Sequence, residues 1–343
     1  MRKKVTLKEI ADILNVSIAT VSKALRDSPD ISDSMCKTVK SLADKLGYRP
    51  NLLAKSLINQ DSHLIGTIIP DLSISFYSEA VRGIYEQARK KSYQAILMVS
   101  DENPDIERQN LEFLSDINVD GILLNNAPGN QNDDLFKRLH EEGIRMVCWD
   151  RRLDHLGFPS VSIDDQQAAY ALTLELIKAG CRDILFMGPN KGFSVAEQRF
   201  SGFCQAMQDQ NIDAQPENRH FCCGLNAKDS YRCMNHHLNE HKPEAVVCLG
   251  GMVAYGAGHA VLKHGYNIPK DIMIAEFGDN NIVAQLGVSF ISIDQNAYEI
   301  GQKAVDLLID RCRQSDWDQP PEHLIEPVRI IHHTKGKPFF KLV

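Results

Sequence analysis

Two hydrophobic periods divide the chain. Within the first fifty residues, apolar side chains recur every three or four positions, which is typical of short amphipathic helices. Thr6 and Glu9 fit a capping box, and the apolar spacing then runs from Leu7 to Leu14. From residue 63 onward, short continuous apolar runs alternate with longer helical segments. The pattern therefore predicts a small all-α module followed by an α/β domain.

Two further helices complete the predicted module. Ser17 is placed to cap a second helix, Ile18–Leu25, after a tight turn, and Ser32 is placed to cap a third that ends at Gly47. The result is a helix-turn-helix with a closed apolar core. The solvent side at the start of the second helix presents the positions that a recognition helix turns toward the major groove: Ile18, Ala19, Ser22 and Lys23.

The longer region reads as alternating strands and helices. Continuously apolar strands separated by helices favour a parallel sheet covered on both faces, and about 275 residues are too many for one such sheet. We therefore predict two α/β lobes with a cleft between them. The first expected elements are a strand near 65–69, a helix at 76–91, a strand at 94–99, a helix at 105–117 and a strand at 121–125, and the alternation continues to about residue 313.

Charge is distributed unevenly along the chain. The whole chain carries −7, but residues 1–60 hold 11 Lys or Arg against 6 Asp or Glu, which is +5. The remaining 27 against 39 give −12. Since phosphate neutralisation drives most non-specific affinity for nucleic acid, this asymmetry favours a basic DNA-binding module on an acidic body; a merely solvated basic face is the alternative.

Cysteine usage and targeting signals indicate an intracellular protein. The nine cysteines contain no Cys-x-x-Cys pair, which argues against a disulfide framework or a zinc ribbon. The N-terminus lacks the apolar region of a signal peptide, and no apolar run approaches the ~18 residues of a membrane span. We expect a cytoplasmic protein without a membrane partner.

Enzyme motifs are absent from the sequence. There is no Gly-x-Gly-x-x-Gly after a strand, no Walker A lysine motif and no Gly-x-Ser-x-Gly elbow. His236, His237 and His241 share one predicted helix, but no acidic third ligand is evident, so a solvated surface is favoured over a metal site. We therefore predict no catalytic residue, no metal and no cofactor.

Three segments of the headpiece carry a family resemblance. VTLKEIAD at 5–12, VSIATVSK at 16–23 and GYRPNLLAKSL at 47–57 together resemble the LacI family of bacterial repressors, which includes the lactose, galactose, ribose and purine repressors. Further matches are IGTIIPD at 65–71, VDGILL at 119–124, DILFMGP at 183–189 and QRFSGF at 198–203. The resemblance implies a helix-turn-helix headpiece joined to an α/β core of two parallel-sheet lobes like a periplasmic binding protein.

The resemblance also implies domain boundaries and a DNA-binding set. The headpiece is expected at 1–49, a hinge helix and linker at 50–62, and an effector-binding and dimerisation domain at 63–343. Leu57 matches the leucine wedge that enters the minor groove in this family. The full set implied for DNA binding is Thr6, Ser17, Ile18, Ala19, Thr20, Ser22, Lys23, Tyr48, Asn51, Ala54 and Leu57.

An effector-binding set follows from the same resemblance. Phe76 and Tyr77 match aromatic positions on which effectors stack, although a pure core role is the alternative. Arg199 matches an effector-contacting arginine, with an interlobe salt bridge as its alternative role. The full set is Phe76, Tyr77, Asn125, Asp150, Arg151, Arg199 and Asp279.

Two departures from the family pattern affect this set. Gly250 and Gly251 stand where the family commonly has Asn-Asp, so a side-chain contact is missing there. The usual Gly-Phe-Asp appears as Glu276-Phe277-Gly278 followed by Asp279, which leaves open whether Asp279, the favoured candidate, or Glu276 contacts a ligand.

The combined pattern predicts a transcription regulator, acting as a repressor, under small-molecule control. We expect a homodimer on a pseudo-palindromic DNA operator, with a sugar or sugar acid as the effector and purines as the rival class. The pattern is compatible with either an inducer or a corepressor. The alternative functions are a free ligand-binding receptor, against which the basic headpiece argues, and a sugar-processing enzyme.

Overall fold

The computed structural model describes residues 5–48, 62–189, 194–212, 219–222, 224–278, 280–313, 323–326 and 328–334. The chain separates into two compact units, Met1–Ser62 and His63–Val343. Most of the predicted hinge, including Asn51, Ala54 and Leu57, lies outside the described residues, so the division at 49/50 stays a prediction.

The first unit contains three helices, α1 Leu7–Leu14, α2 Ile18–Leu25 and α3 Asp33–Leu46. The predicted capping box is present: the Thr6 hydroxyl accepts from the Glu9 amide at 3.3 Å, while the Glu9 carboxylate accepts from the Thr6 amide at 2.8 Å. Gly47 ends α3 with a φ of 67°, a conformation that favours glycine. Local capping chemistry thus fixes where each helix begins and ends.

The core of this unit is small and lies between the three helices. Ile10 of α1, Val21 of α2 and Val39 of α3 are fully buried. Smaller residues, Ala11 and Ala24, fill the space between them. The core closes the helix-turn-helix and leaves the first turn of α2 exposed.

The second unit consists of two α/β lobes, as predicted. The first lobe holds a parallel six-stranded sheet in the order β2-β1-β3-β4-β5-β11. Its elements are β1 Leu64–Ile69, α4 Ser75–Lys90, β2 Gln94–Val99, α5 Pro104–Asp116, β3 Gly121–Leu124, α6 Asp133–Glu141, β4 Arg145–Trp149, β5 Ser160–Ile163 and, from the far end of the chain, β11 His323–Glu326.

The second lobe repeats this architecture in the order β7-β6-β8-β9-β10-β12, with only β12 antiparallel to its neighbour. Its elements are α7 Asp165–Lys178, β6 Ile184–Pro189, α8 Ser194–Asp209, β7 Arg219–Cys222, α9 Ala227–Glu240, β8 Ala245–Cys248, α10 Gly251–Lys263, β9 Met273–Phe277, α11 Asn280–Ala284, β10 Phe290–Asp294 and β12 Arg329–His333. The remaining helix, α12 Ala297–Arg313, follows β10 but packs on α4 and on β3 and β4 of the first lobe.

The chain passes between the lobes three times, after Ile163, after Asp294 and between β11 and β12. Each lobe is therefore built from separate stretches of sequence. None of the helices in the described ranges is long and apolar enough to cross a membrane.

Glycines allow neighbouring helices to touch backbone to backbone. A Cβ at Gly83 of α4 would lie 2.1 Å from the Tyr298 carbonyl oxygen of α12, and a Cβ at Gly301 of α12 would lie 2.1 Å from the Ala80 oxygen of α4. Gly202 of α8 has the same relation to a carbonyl of α7 at 2.0 Å. Since real Cβ atoms do not approach this closely, any side chain here must separate the helices.

Gly301→Ala tests this packing. The added methyl group should push α12 away from α4 and lower the free energy of unfolding by about 1–3 kcal/mol, the usual cost of overpacking a core. Chemical denaturation of the full chain measures the change. Gly250→Ala is the control, because its Cβ would lie at an ordinary 3.8 Å from the Phe277 oxygen. Equal losses of stability in both variants would contradict the close-contact account.

Candidate functional site

A cavity of about 90 Å³ lies between the two lobes of the second unit. It is bounded by segments that follow the carboxyl ends of parallel strands, where open α/β sheets bind their ligands. The first lobe contributes Ile74, Phe76, Tyr77, Asp150 and Arg151, and the second contributes Val195, Ala196, Arg199, Leu225, Leu249, Gly250, Gly251, Met252, Val253, Phe277 and Gln295.

Aromatic side chains form one wall of the cavity. Phe76 and Tyr77 open α4, where both are largely buried and meet edge to face with ring centroids 5.3 Å apart. Both also contact Trp149, which is fully buried at the end of β4, at 6.3 and 6.0 Å. Phe76 and Tyr77 therefore serve the core and the cavity wall together, so the two alternatives for these residues are not exclusive.

Asp150 occupies a strained turn directly after β4. Its φ is 63°, and the Arg151 amide donates to the Trp149 carbonyl at 2.7 Å, which closes a three-residue turn around it. Asn125 donates to Oδ2 of Asp150 at 3.0 Å, while Oδ1 accepts no hydrogen bond among the described residues. Burial raises the pKa of this carboxyl above its ordinary value, although Arg151 and Arg199 oppose that rise. Strain of this kind is concentrated at functional sites.

The two terminal nitrogens of Arg151 donate four hydrogen bonds to other described residues. Nη1 donates to Glu102 Oε2 at 2.7 Å and to the Asn126 carbonyl at 2.7 Å. Nη2 donates to Glu102 Oε1 at 2.6 Å and to the Tyr77 hydroxyl at 3.3 Å. The guanidinium and the carboxylate thus form a bidentate pair, the strongest common geometry for these groups.

Arg199 is anchored within the second lobe. Nε donates to Asp165 at 2.7 Å, Nη1 to the Leu249 carbonyl at 2.6 Å and Nη2 to Gln295 at 2.8 Å. The guanidinium also lies 3.9 Å above the Phe277 ring. Because all four partners belong to the same lobe as Arg199, the predicted alternative of an interlobe salt bridge is wrong: the ion pair is internal to one lobe.

Two N–H groups of Arg199 remain for a ligand. Its five donors have three acceptors among the described residues, and the side chain lines the cavity. Burial raises the pKa of Asp165 to about 6, against the lowering effect of Arg199. The hydrogen bond between Arg199 and Asp165 fixes the orientation of the guanidinium in the cavity wall.

The amino end of α10 also faces the cavity. Gly250 caps this helix without a side chain, and the first backbone N–H groups of any helix lack an intrahelical acceptor. Backbone donors at the start of α10 thus stand where the family commonly has the Asn-Asp side chains. A side chain at Gly250 would have room, since its Cβ would lie 3.8 Å from the Phe277 oxygen.

Only some of the predicted effector residues lie in the wall of the cavity. Phe76, Tyr77, Asp150, Arg151 and Arg199 line the cavity, whereas Asn125 lies behind Asp150 and is fully buried. Asp279 lies outside the described residues. Glu276 is fully buried, and the cavity wall in that strand is formed by its neighbour, Phe277.

Sequence reasoning missed Glu102, Asp165 and Gln295. Glu102 and Asp165 are the carboxylate partners of the two arginines, and Gln295 is a cavity residue that binds Arg199. They lie 49, 34 and 96 positions from those arginines along the chain. The only local signal was at Asp165, an acidic residue at the start of a helix.

The candidate DNA-binding surface lies on the first unit. Ile18, 49% exposed, and Ala19 are accessible at the start of α2, as the sequence predicts. Thr6 and Ser17 act as helix caps, and Ser17 also hydrogen bonds the Thr20 hydroxyl at 2.8 Å. An exposed apolar pair beside small hydroxyl groups suits a groove with thymine methyl groups.

The polar members of this surface have internal partners. Lys23 pairs with Asp30, and the Ser22 hydroxyl accepts from Arg26 at 3.3 Å. Exposed pairs contribute little free energy, so Lys23 is readily available to another acceptor. Tyr48 is half-buried and packs against the headpiece core.

Comparison with known proteins agrees with both units. The family model for bacterial regulatory proteins of the lacI family matches residues 6–51, and the model for periplasmic binding proteins and the sugar binding domain of the LacI family matches residues 62–334.

The transcriptional regulator RegA of Clostridium saccharobutylicum is 31% identical over 317 residues, covering 92% of this chain and 95% of RegA. The fold resembles that of the lac repressor dimer bound to operator and the anti-inducer ONPF (TM-score 0.84, 20% identity, 97% and 99% coverage). It also resembles the regulator CelR in complex with cellobiose (TM-score 0.73, 19% identity, 97% and 100% coverage). The chain therefore belongs to the LacI family of DNA-binding transcription regulators and carries that family's sugar-binding type of domain.

Proposed function

We propose that this regulator binds a sugar or sugar acid in the interlobe cavity and that binding changes its affinity for an operator. The observation that carries the proposal is a cavity whose first lobe offers an aromatic wall and one open carboxylate oxygen, and whose second lobe offers fixed arginine donors. A sugar hydroxyl donates to a carboxylate and accepts from a guanidinium. A ligand that contacts both lobes favours one relative arrangement of them, which is the requirement for population shift.

The effector contacts in this proposal come from six side chains. Phe76 and Tyr77 offer an apolar face, Asp150 accepts, and Arg199 donates, with Arg151 as a second cation; Asp279 is retained as a sixth contact, and Asn125 positions Asp150. The cellobiose in the CelR complex supports the sugar class.

Purines are the rival ligand class. A nucleobase is best held between parallel aromatic faces, but the planes of Phe76 and Tyr77 meet at 70°, and the Phe277 face is covered by Arg199. This geometry favours a hydroxyl-rich ring over a flat base.

The proposal does not include catalysis. The described cavity lining contains no serine, cysteine or histidine, so it offers no Ser-His or Cys-His pair. We propose binding without turnover, in the cytoplasm, where the operator DNA is located.

On the DNA side, we propose a homodimer that places two headpieces on the half-sites of a pseudo-palindromic operator. The contacts come from α2 through Ile18, Ala19, Thr20, Ser22 and Lys23, from Thr6, Ser17 and Tyr48 around it, and from Asn51, Ala54 and Leu57 of the predicted hinge.

Ala19→Gln tests base reading. The longer amide should exchange a methyl contact for hydrogen bonds to a base edge and change the preferred sequence by about 1–3 kcal/mol at one base pair. Selection of sites from random DNA measures the preference. Ile13→Gln is the matched control, because Ile13 is 59% exposed on α1 and outside the proposed set; identical motifs for wild type and Ala19→Gln would refute the role of Ala19.

Leu57→Gly tests the hinge. Without the wedge, the central step stays stacked and operator affinity should fall by roughly tenfold or more, while affinity for random DNA stays the same. Fluorescence anisotropy gives both affinities, and a gel-shift bending assay reports the kink. An unchanged operator affinity together with unchanged bending would show that the hinge is misassigned.

Arg199→Ala tests the effector cavity. Leaving Asp165 buried without its cation should cost about 3–5 kcal/mol of stability. The double variant Arg199→Ala, Asp165→Asn should recover most of that stability, but neither protein should bind sugars detected with wild type in calorimetry. Sugar binding that survives in the stable double variant would sink the proposed site.

A further inference from the structure

Glu102 lies in a turn that a glutamate does not favour. The Asn103 amide donates to the Ser100 carbonyl at 2.9 Å, and both central residues have positive φ, 51° for Asp101 and 55° for Glu102. Turns of this kind favour glycine and asparagine, since other side chains are crowded by their own backbone. The presence of glutamate at this strained position therefore indicates that its side chain has a role outside the turn.

That role is the pairing with Arg151. The two carboxylate oxygens of Glu102 accept from Nη1 and Nη2 of Arg151 at 2.7 and 2.6 Å, along the edge of the guanidinium that these two nitrogens form. The Arg151 side chain is only 6% exposed and that of Glu102 28%. The fork that could hold a carboxylate or phosphate of a ligand is therefore filled by the protein's own carboxylate.

The same compensation occurs on the other side of the cavity. Asp165 pairs with Arg199, with both side chains almost fully buried at 3% and 6% exposed. With each arginine matched by one carboxylate, the remaining charged side chain of the lining is Asp150. Counted together with their partners Glu102 and Asp165, the charged side chains of the described lining thus carry no net positive charge, in either protonation state of Asp150.

We infer that the cavity selects neutral, hydroxyl-rich ligands over anionic ones, and that Glu102 is the residue that sets this selectivity. The inference rests on the proposed function and narrows its ligand class from sugars and sugar acids to neutral sugars. The free donors, two N–H groups of Arg199 and the backbone at the start of α10, suit hydroxyl oxygens. The carboxyl oxygens of Asp150 suit hydroxyl hydrogens, and its ionised form repels a carboxylate or phosphate.

Two substitutions of Glu102 separate the effect of its negative charge from the effect of the space that its side chain fills. Glu102→Gln removes the charge and keeps the length of the side chain, while Glu102→Gly opens the Arg151 fork and suits the positive φ. Affinities of the full chain are measured by calorimetry, with Trp149 fluorescence as a second readout, for neutral glucose, galactose and cellobiose and for anionic glucuronate, galacturonate and glucose 6-phosphate. The ratio of anionic to neutral affinity should rise roughly tenfold in both variants, since an unpaired guanidinium gains a charged partner.

Asp101→Asn is the matched control. It removes one negative charge from the same turn, but the carboxylate that pairs with Arg151 belongs to Glu102 and stays in place. Its ratio should equal that of wild type, and circular dichroism melting verifies that all the proteins are folded. Wild type that binds the anionic sugars as tightly as the neutral ones, or a ratio that stays constant in both Glu102 variants, overturns the inference and leaves the proposed function standing. Failure of all six sugars to bind wild type and both variants overturns the proposed function as well.

Discussion

The cleft depends on the pairing of each buried arginine with a carboxylate. A guanidinium removed from water needs a partner, and losing one member of such a pair is costly. Glu102 with Arg151 and Asp165 with Arg199 meet this requirement, one pair in each lobe. The pairs fix the orientation of both cations, and they also decide what charge the cavity offers to a ligand.

The fold positions these pairs by bringing loop ends together. Both sheets are parallel in the region of the cavity, so the segments after β4, β8 and β9 meet at their carboxyl edges. Because the chain passes between the lobes three times, a change in the angle between the lobes must be accommodated by those connections. The contacts at Gly83 and Gly301 hold α12 against the first lobe, so a displacement of the first lobe has to carry α12 with it.

Local chemistry explains what the sequence could predict. The Thr6 cap, the Ser17 cap and the Gly47 stop act within four residues, and the structure confirms them. Strand and helix positions in the first lobe were equally readable, because buried parallel strands are continuously apolar. Asp150 and Arg199 were placed by resemblance, and the structure locates both in the cavity wall.

What the sequence could not show depends on distant contacts. In the sequence, Glu102 resembles any acidic residue of an exposed loop, because its partner Arg151 lies 49 positions away and only the fold brings the two together. The two arginines therefore appeared to be open donors for an acidic sugar, whereas most of their hydrogen bonds are already made within the protein. The sequence likewise gives no sign that glycine is needed at Gly83, since that need comes from α12, which follows more than 200 residues later.

The central claim is that the cavity and the DNA-binding surface are coupled. The most direct test uses a neutral sugar that the full chain binds. The affinity for that sugar is measured with and without saturating operator, and the affinity for operator is measured with and without the sugar. Linkage requires both pairs of affinities to change by the same factor, and coupling of this kind typically gives about 5–150-fold. The account predicts equal factors in that range. Sugar binding that is indifferent to operator would show that the cavity does not control the headpiece.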